Sequence, residues 1–200
     1  MEEKIIIGER DALTIIDLQN DFTRPDSALF VKGVEGEATM EQIIKRVSRF
    51  IKMPFGRLVA TQDSHPDNHI EFSIFGKHCE MGEQEIDFIT ELDDVINCDF
   101  IIKGREKNVF SYAISTSKEF LWHIDDLRQD GIKRIFLCGL AYNYCVGESA
   151  IDYARQGFEV FVIRDATRSI PPPYGKSDNM TKKLELYGVK LINFDDLISE

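Results

Sequence analysis

An aspartate, a lysine and a cysteine each stand at the end of a short apolar run in this chain, and together they could carry out acyl transfer. Asp17 closes ALTIID (12–17), Lys103 falls near the end of DFIIKG (99–104), and Cys145 follows RIFLCGLA (134–141) at the expected start of a helix. A further run, RLVATQD (57–63), ends on Asp63, with His65 just beyond it. Singly, each residue has an ordinary structural explanation: an Asp turns the chain, a Lys at a strand end is solvated, a lone Cys packs as a small hydrophobe. On one edge of a sheet they form a constellation. A thiol at a helix N-terminus meets unpaired N–H groups and the positive end of the dipole, and both favour thiolate, as does a neighbouring ammonium. A carboxylate in reach can take the thiol proton, and backbone N–H groups of the turn before the helix can hold an oxyanion.

The second constellation is TQDSHPDNHIEFSIFGKHC (61–79), which holds three of the four histidines, at 65, 69 and 78, together with Asp63. Neutral imidazole and carboxylate are suitable ligands for Zn²⁺, Fe²⁺ or Mn²⁺. Asp63 and His65 are two residues apart, so an extended segment points both to the same side. A third ligand, His78 or His69, can return from the loop, and such a set leaves positions open for water or substrate.

These groups need a scaffold, and the apolar runs supply one. The four runs above are joined by EVFVIRDA (159–166) and VKLINF (189–194), giving six strand candidates that read as buried on both faces. Between them, residues 40–53, 117–131, 145–157 and 179–188 show helical spacing, and Gly131, Gly157 and Gly188 close three of these as C-caps. The alternation predicts an α/β fold: three layers, a six-stranded, mainly parallel sheet with helices on both faces, in a single domain over residues 1–200. Ligands in such sheets bind beyond the carboxyl ends of the strands, where the reactive residues fall. The irregular stretch 64–98 is long enough to be functional, and Pro171–Pro173 reads as a rigid surface loop before the last helix.

Composition sets the outer bounds. The chain has 200 residues, a formal net charge of -11, 43% hydrophobic residues and 14 Phe, enough for a full core. The acidic balance repels phosphate backbones, so no nucleic-acid partner is expected. Runs such as Glu91–Asp94 and Asp125–Asp126 read as solvated surface. No stretch approaches a membrane span, and MEEKIIIGERD does not fit a signal peptide, so no membrane partner and a cytoplasmic location are expected. The cysteines at 79, 98, 138 and 145 form no CxxC pair and are expected to be reduced, with Cys138 in the core.

DLQNDF (17–22), TQDSHPDNHIEF (61–72), KHCEMG (77–82), IIKG (101–104) and GLAYNYCV (139–146) together resemble the isochorismatase-like cysteine hydrolases, and within them the nicotinamidase (pyrazinamidase) branch. The resemblance implies a small-molecule amide substrate, nicotinamide, cleaved to nicotinate and ammonia through a cysteine thioester. It implies Asp17 as general base, Lys103 as catalytic lysine and Cys145 as nucleophile. The N–H groups of Ala141 and Cys145 match the oxyanion hole, with a cis peptide before Ala141. Asp63, His65 and His78 match the ligands of a divalent metal, zinc foremost with iron or manganese as alternatives, which anchors the ring nitrogen of the substrate; His69 matches a ligand of some members only. Phe22 matches a wall of the pyridine pocket, and Phe75, Tyr112 and Tyr144 are further candidates for it. Relatives assemble as dimers or tetramers, so a homo-oligomer is among the expected states. The chain departs from the branch at Ser64, where Trp is usual, at Phe75-Gly76-Lys77, and in the loop LFVKGVEGE (29–37). These departures leave room for a related cysteine amidase acting on another small amide or acyl urea.

Overall fold

A computed structural model describes residues 4–83, 87–92, 98–174 and 177–199. Strand β1 (Ile5–Ile7) stands outside the main sheet. The six anticipated runs form β2 (Asp11–Ile16), β3 (Arg57–Asp63), β4 (Asp99–Lys103), β5 (Arg134–Leu140), β6 (Glu159–Arg168) and β7 (Lys190–Ile192). They lie in the order β4-β3-β2-β5-β6-β7, and every pair is parallel. A last strand, β8 (Leu197–Ser199), pairs in parallel with β1 as a separate ribbon that the sequence reading did not anticipate.

Alternation along the central strands explains the layers. Leu13, Ile15, Phe136, Cys138, Phe161 and Ile163 face one side, where they pack with Ile43, Val47 and Phe50 of helix α2 (Met40–Phe50). Ala12, Ile16, Ile135, Leu137, Val160 and Val162 face the other. There they meet α4 (Phe120–Gln129), α5 (Gly147–Arg155) and α6 (Ser177–Leu186) through residues such as Ile124, Ile151 and Leu184. Two one-turn helices, α1 (Asn20–Thr23) and α3 (Phe72–Phe75), sit in the connections at the carboxyl edge. Helix α2 begins with a reciprocal cap. Thr39 accepts from the Gln42 N–H, and the Gln42 side chain accepts from the Thr39 N–H at 2.8 Å. Gly131, Gly157 and Gly188 all have positive φ, as their C-cap role requires.

The chain runs outward from β2 to β4, then returns to place β5 on the other side of β2. The switch point therefore lies between β2 and β5, where parallel α/β sheets open a crevice. At Gly139 (φ +105) the two strands approach so closely that a Cβ would collide with the Ile16 carbonyl. Asp125 and Asp126 are exposed as expected, while Asp93 and Asp94 of the other acidic run lie outside the described residues. Pro172, Pro173 and Tyr174 are at the surface, and Gly175 and Lys176 also lie outside. No helix among the described residues is long and apolar enough to cross a membrane.

Candidate active site

Asp17 leaves β2 with φ +47, its N–H directed at the Thr61 carbonyl. This turn buries the carboxylate completely and lets Oδ1 accept from the Thr61 hydroxyl at 2.6 Å. Lys103, the last residue of β4, is 1% exposed. Its Nζ lies 2.8 Å from Asp17 Oδ2, 2.5 Å from Asp63 Oδ1 and 3.5 Å from Cys145 Sγ. Cys145 comes from beyond β5, so the three strand ends and the following turn meet around one ammonium. Cys145 does not open a regular helix. It lies in a π-helical turn (Tyr142–Val146), and α5 begins at Gly147. The Leu140–Ala141 peptide before this turn is cis, as the resemblance implied.

Opposing electrostatic effects meet at this cluster. Burial pushes the Cys145 thiol well above its usual pKa; Lys103 opposes the shift, and Asp17, Asp63 and Glu71 reinforce it. Desolvation outweighs the ammonium in setting this direction. Burial likewise raises Asp17, against the pull of Lys103, so its carboxylate is a better base than a solvated one. Burial alone would lower Lys103, but Asp17 and Asp63 outweigh it and hold the amine well above its usual value. Thiol, carboxylate and ammonium are thus poised for proton transfer from sulfur to oxygen.

Asp63 joins this cluster to the histidines. The Gln19 amide clamps its backbone, accepting from the Asp63 N–H at 2.7 Å and donating to its carbonyl at 2.9 Å. With Oδ1 on Lys103, Oδ2 stands 4.0 Å from His65 Nε2. His65, His69 and His78 are all buried, and the His65 ring lies 4.1 Å from that of His69 and 4.8 Å from that of His78. His65 Nδ1 meets the Gly104 carbonyl at 3.2 Å and His78 Nδ1 meets the Gly76 carbonyl at 2.8 Å. A carbonyl only accepts, so each Nδ1 carries the proton and each Nε2 presents a lone pair. Burial holds His65 down to about 3, which keeps it neutral. Among the described residues, His65 Nε2 and His69 Nε2 are buried with no partner. Lone pairs and carboxylates converging in a dry site suit a divalent cation, so the residues fit the metal that the sequence pointed to.

A small cavity opens between these groups. Phe22, Phe75, Tyr112 and Tyr144 all line it, together with Asp63, His78, Ala141 and Cys145. The Phe75 ring centroid lies 5.4 Å from that of Tyr144, and Tyr112 packs on Tyr144 at 5.0 Å. Leu29 and Val31 of the chain's own loop close one side. Every anticipated site residue is therefore in one neighbourhood. Sequence reasoning missed Glu71, which lines the cavity and accepts from the N–H and the hydroxyl of Ser111 at 2.6 and 2.8 Å. Its only signal was a carboxylate inside the histidine-bearing segment.

A family model described as the Isochorismatase domain matches residues 11–196. The nicotinamidase of Acinetobacter baylyi is 30% identical, with 80% of this chain and 81% of that protein covered. That of Escherichia coli is 27% identical, covering 80% and 83%. Among solved structures, PnC1 from L. infantum in complex with nicotinate is similar with a TM-score of 0.85 at 28% identity, over 98% of this chain and 100% of that one. The pyrazinamidase of Pyrococcus horikoshii in complex with zinc gives a TM-score of 0.75 at 30% identity, over 92% and 99%.

Proposed function

Because this chain belongs to the isochorismatase domain family, we propose that it is a cysteine amidohydrolase that converts nicotinamide to nicotinate and ammonia. The observation that carries this reading is the single buried ammonium of Lys103 in contact with Asp17, Asp63 and the Cys145 sulfur, beside an aromatic-walled cavity. The relatives' names and the nicotinate-bound and zinc-bound structures support the substrate and the metal.

In this reading Asp63, His65 and His78 hold a divalent ion, which when bound anchors the ring nitrogen of the substrate. Phe22, Phe75, Tyr112 and Tyr144 pack on the ring, each contributing apolar area and a preferred ring orientation. Asp17 accepts the Cys145 proton as the sulfur attacks the carboxamide carbon, and Lys103 offsets the negative charge left near the carboxylates. The N–H groups of Ala141 and Cys145 stabilise the oxyanion. Asp17 then returns the proton to the leaving ammonia, and in the second half it deprotonates the water that releases nicotinate from the thioester. Zinc is the first choice of metal on the imidazole and carboxylate donors, with iron or manganese compatible with the same set. Action on a small free amide is consistent with a cytoplasmic location.

Ammonia release from nicotinamide tests the proposal, measured before and after chelation and with Cys145→Ala. Turnover that requires both the metal and Cys145 is expected. Turnover by a pure, folded Cys145→Ala protein would overturn the mechanism, and no turnover by folded, metal-loaded protein would overturn the substrate.

A further inference from the structure

Ile170, buried in the wall of the cavity, lies just past the end of β6, where the ladder with β5 stops at the pair Leu140 and Arg168. A side chain holds the backbone there instead. Asn143, buried in the π-helical turn that carries Cys145, donates from its amide to the Ile170 carbonyl at 2.8 Å and accepts the Ile170 N–H at 2.9 Å. A carboxamide can hold a peptide in both directions in this way, whereas a carboxylate only accepts. Pro171, Pro172 and Pro173 follow, and none has an N–H with which to fasten the segment. Each proline also fixes its own φ, so the run is stiff and its two ends set its course. The far end is Tyr174, 47% exposed, whose ring lies 5.5 Å from that of Phe75. Phe75 in turn meets Tyr144 at 5.4 Å, and Tyr144 is the chain neighbour of Asn143. The contacts therefore close a circuit around one side of the pocket.

We propose that residues 170–174 form the size filter of the pocket, positioned by Asn143 at one end and by Tyr174 at the other. The inference rests on the nicotinamide reading above and names what that pocket rejects: pyridine carboxamides with a substituent on the ring carbon meta to both the ring nitrogen and the carboxamide. Nitrogen and carboxamide are the two anchored points of the ring, so that carbon is the one turned toward the remaining wall. Asn143 acts through Ile170, and Tyr174 acts through Phe75; both are positioning residues. With no N–H on the prolines, the amide of Asn143 and the ring of Tyr174 fix where Ile170 and Phe75 stand. One methyl group more or less in an apolar pocket decides ~10- to 200-fold in kcat/KM, provided the wall does not yield. Freeing either anchor lets the wall yield. The unsubstituted ring is then held less well, and an added methyl finds room.

The test is ammonia release from nicotinamide and from 5-methylnicotinamide by the full, metal-loaded chain, unmodified and as Asn143→Ala and Tyr174→Ala. The readout is the ratio of the two kcat/KM values, with kcat and KM resolved for each amide. The unmodified protein should favour nicotinamide by ~10-fold or more, and each variant should narrow that preference by ~10-fold, the weight of one methyl group. The loss on nicotinamide should fall on KM rather than kcat. A merely structural role would lower both amides in parallel and leave the ratio unmoved; an unmoved ratio in either variant would overturn the proposal. Equal use of the two amides by the unmodified protein would also overturn it. If Asn143→Ala fails to fold, Asn143→Asp, which keeps the acceptor for the Ile170 N–H and loses the donor, is judged by the same ratio. Absence of turnover of nicotinamide by the unmodified protein would overturn the nicotinamide reading itself, and the size filter with it.

Discussion

Replacing Lys103 with methionine keeps the length of the side chain and removes its charge from the centre of the site. The ammonium stands 3.5 Å from the Cys145 sulfur. At an effective dielectric of ~20, a unit charge pair at that separation interacts by about 5 kcal/mol. Half of that, a fair allowance for relaxation and water entry, corresponds to a fall of about 10²-fold in turnover. The structural cost is separate. Asp17 and Asp63 would be left as neighbouring buried carboxylates, and breaking a buried pair by deleting one partner costs about 3–5 kcal/mol unless a carboxyl takes up a proton. The assay is kcat for ammonia release at saturating nicotinamide, set beside urea denaturation and the rate of Cys145 alkylation by iodoacetamide. A kcat within fivefold of the unmodified enzyme, with alkylation equally fast, would refute the assignment of thiolate stabilisation to Lys103.

Phe75→Ala removes the ring that packs on Tyr144 at 5.4 Å and Tyr174 at 5.5 Å, so KM for nicotinamide should rise ~10-fold with kcat changed little; a fall in kcat at constant KM would contradict its role as a wall. Burial alone would raise the pKa of Glu37, but the Ser169 hydroxyl and N–H, the Val34 N–H and Arg164 outweigh it and hold it below 4.5. A depressed carboxyl contributes stability that is present above its unfolded value and lost as pH falls below it. Urea midpoints should therefore drop below pH 4.5 in the unmodified protein, and Glu37→Gln should flatten that part of the profile; identical profiles would reject the contribution. Gly33→Ala places a Cβ 2.5 Å from Arg168 Nε at φ +73, and should cost about 1–3 kcal/mol, read as a lower urea midpoint. An unchanged midpoint would mean that Arg168 gives way freely.

The residues that end β2, β3 and β4 were legible because strands buried on both faces leave continuous apolar runs, and a charge that interrupts such a run marks its end. Asp17, Asp63 and Lys103 are cases of this. The ribbon of β1 and β8 was not legible. Each strand has three residues, Ile6 and Ile198 are half exposed, and each partner lies at the far end of the chain. Glu71 escaped for a different reason: its orientation depends on Ser111, forty residues on, and no local pattern encodes that tether. The same holds for Gln19, whose amide extends the pairing of β2 and β3 past its last ladder residue. The extent of desolvation around Cys145 was not legible either, because a sequence locates a helix start but not how deeply it is buried.

The strand order also dictates a timetable for folding. Asp11–Ile16, buried throughout, sits between β3 and β5, so one edge of it stays open until Arg134–Leu140 can pair with it. Contacts that span more than a hundred residues close slowly, and an unpaired apolar strand is exposed to misassociation in the meantime. The carboxylates of Asp17 and Asp63 and the Lys103 ammonium all come from the three strands on one side of that open edge. Cys145 arrives with the strand that closes it, so the sulfur meets its proton acceptor only as the central ladder is completed.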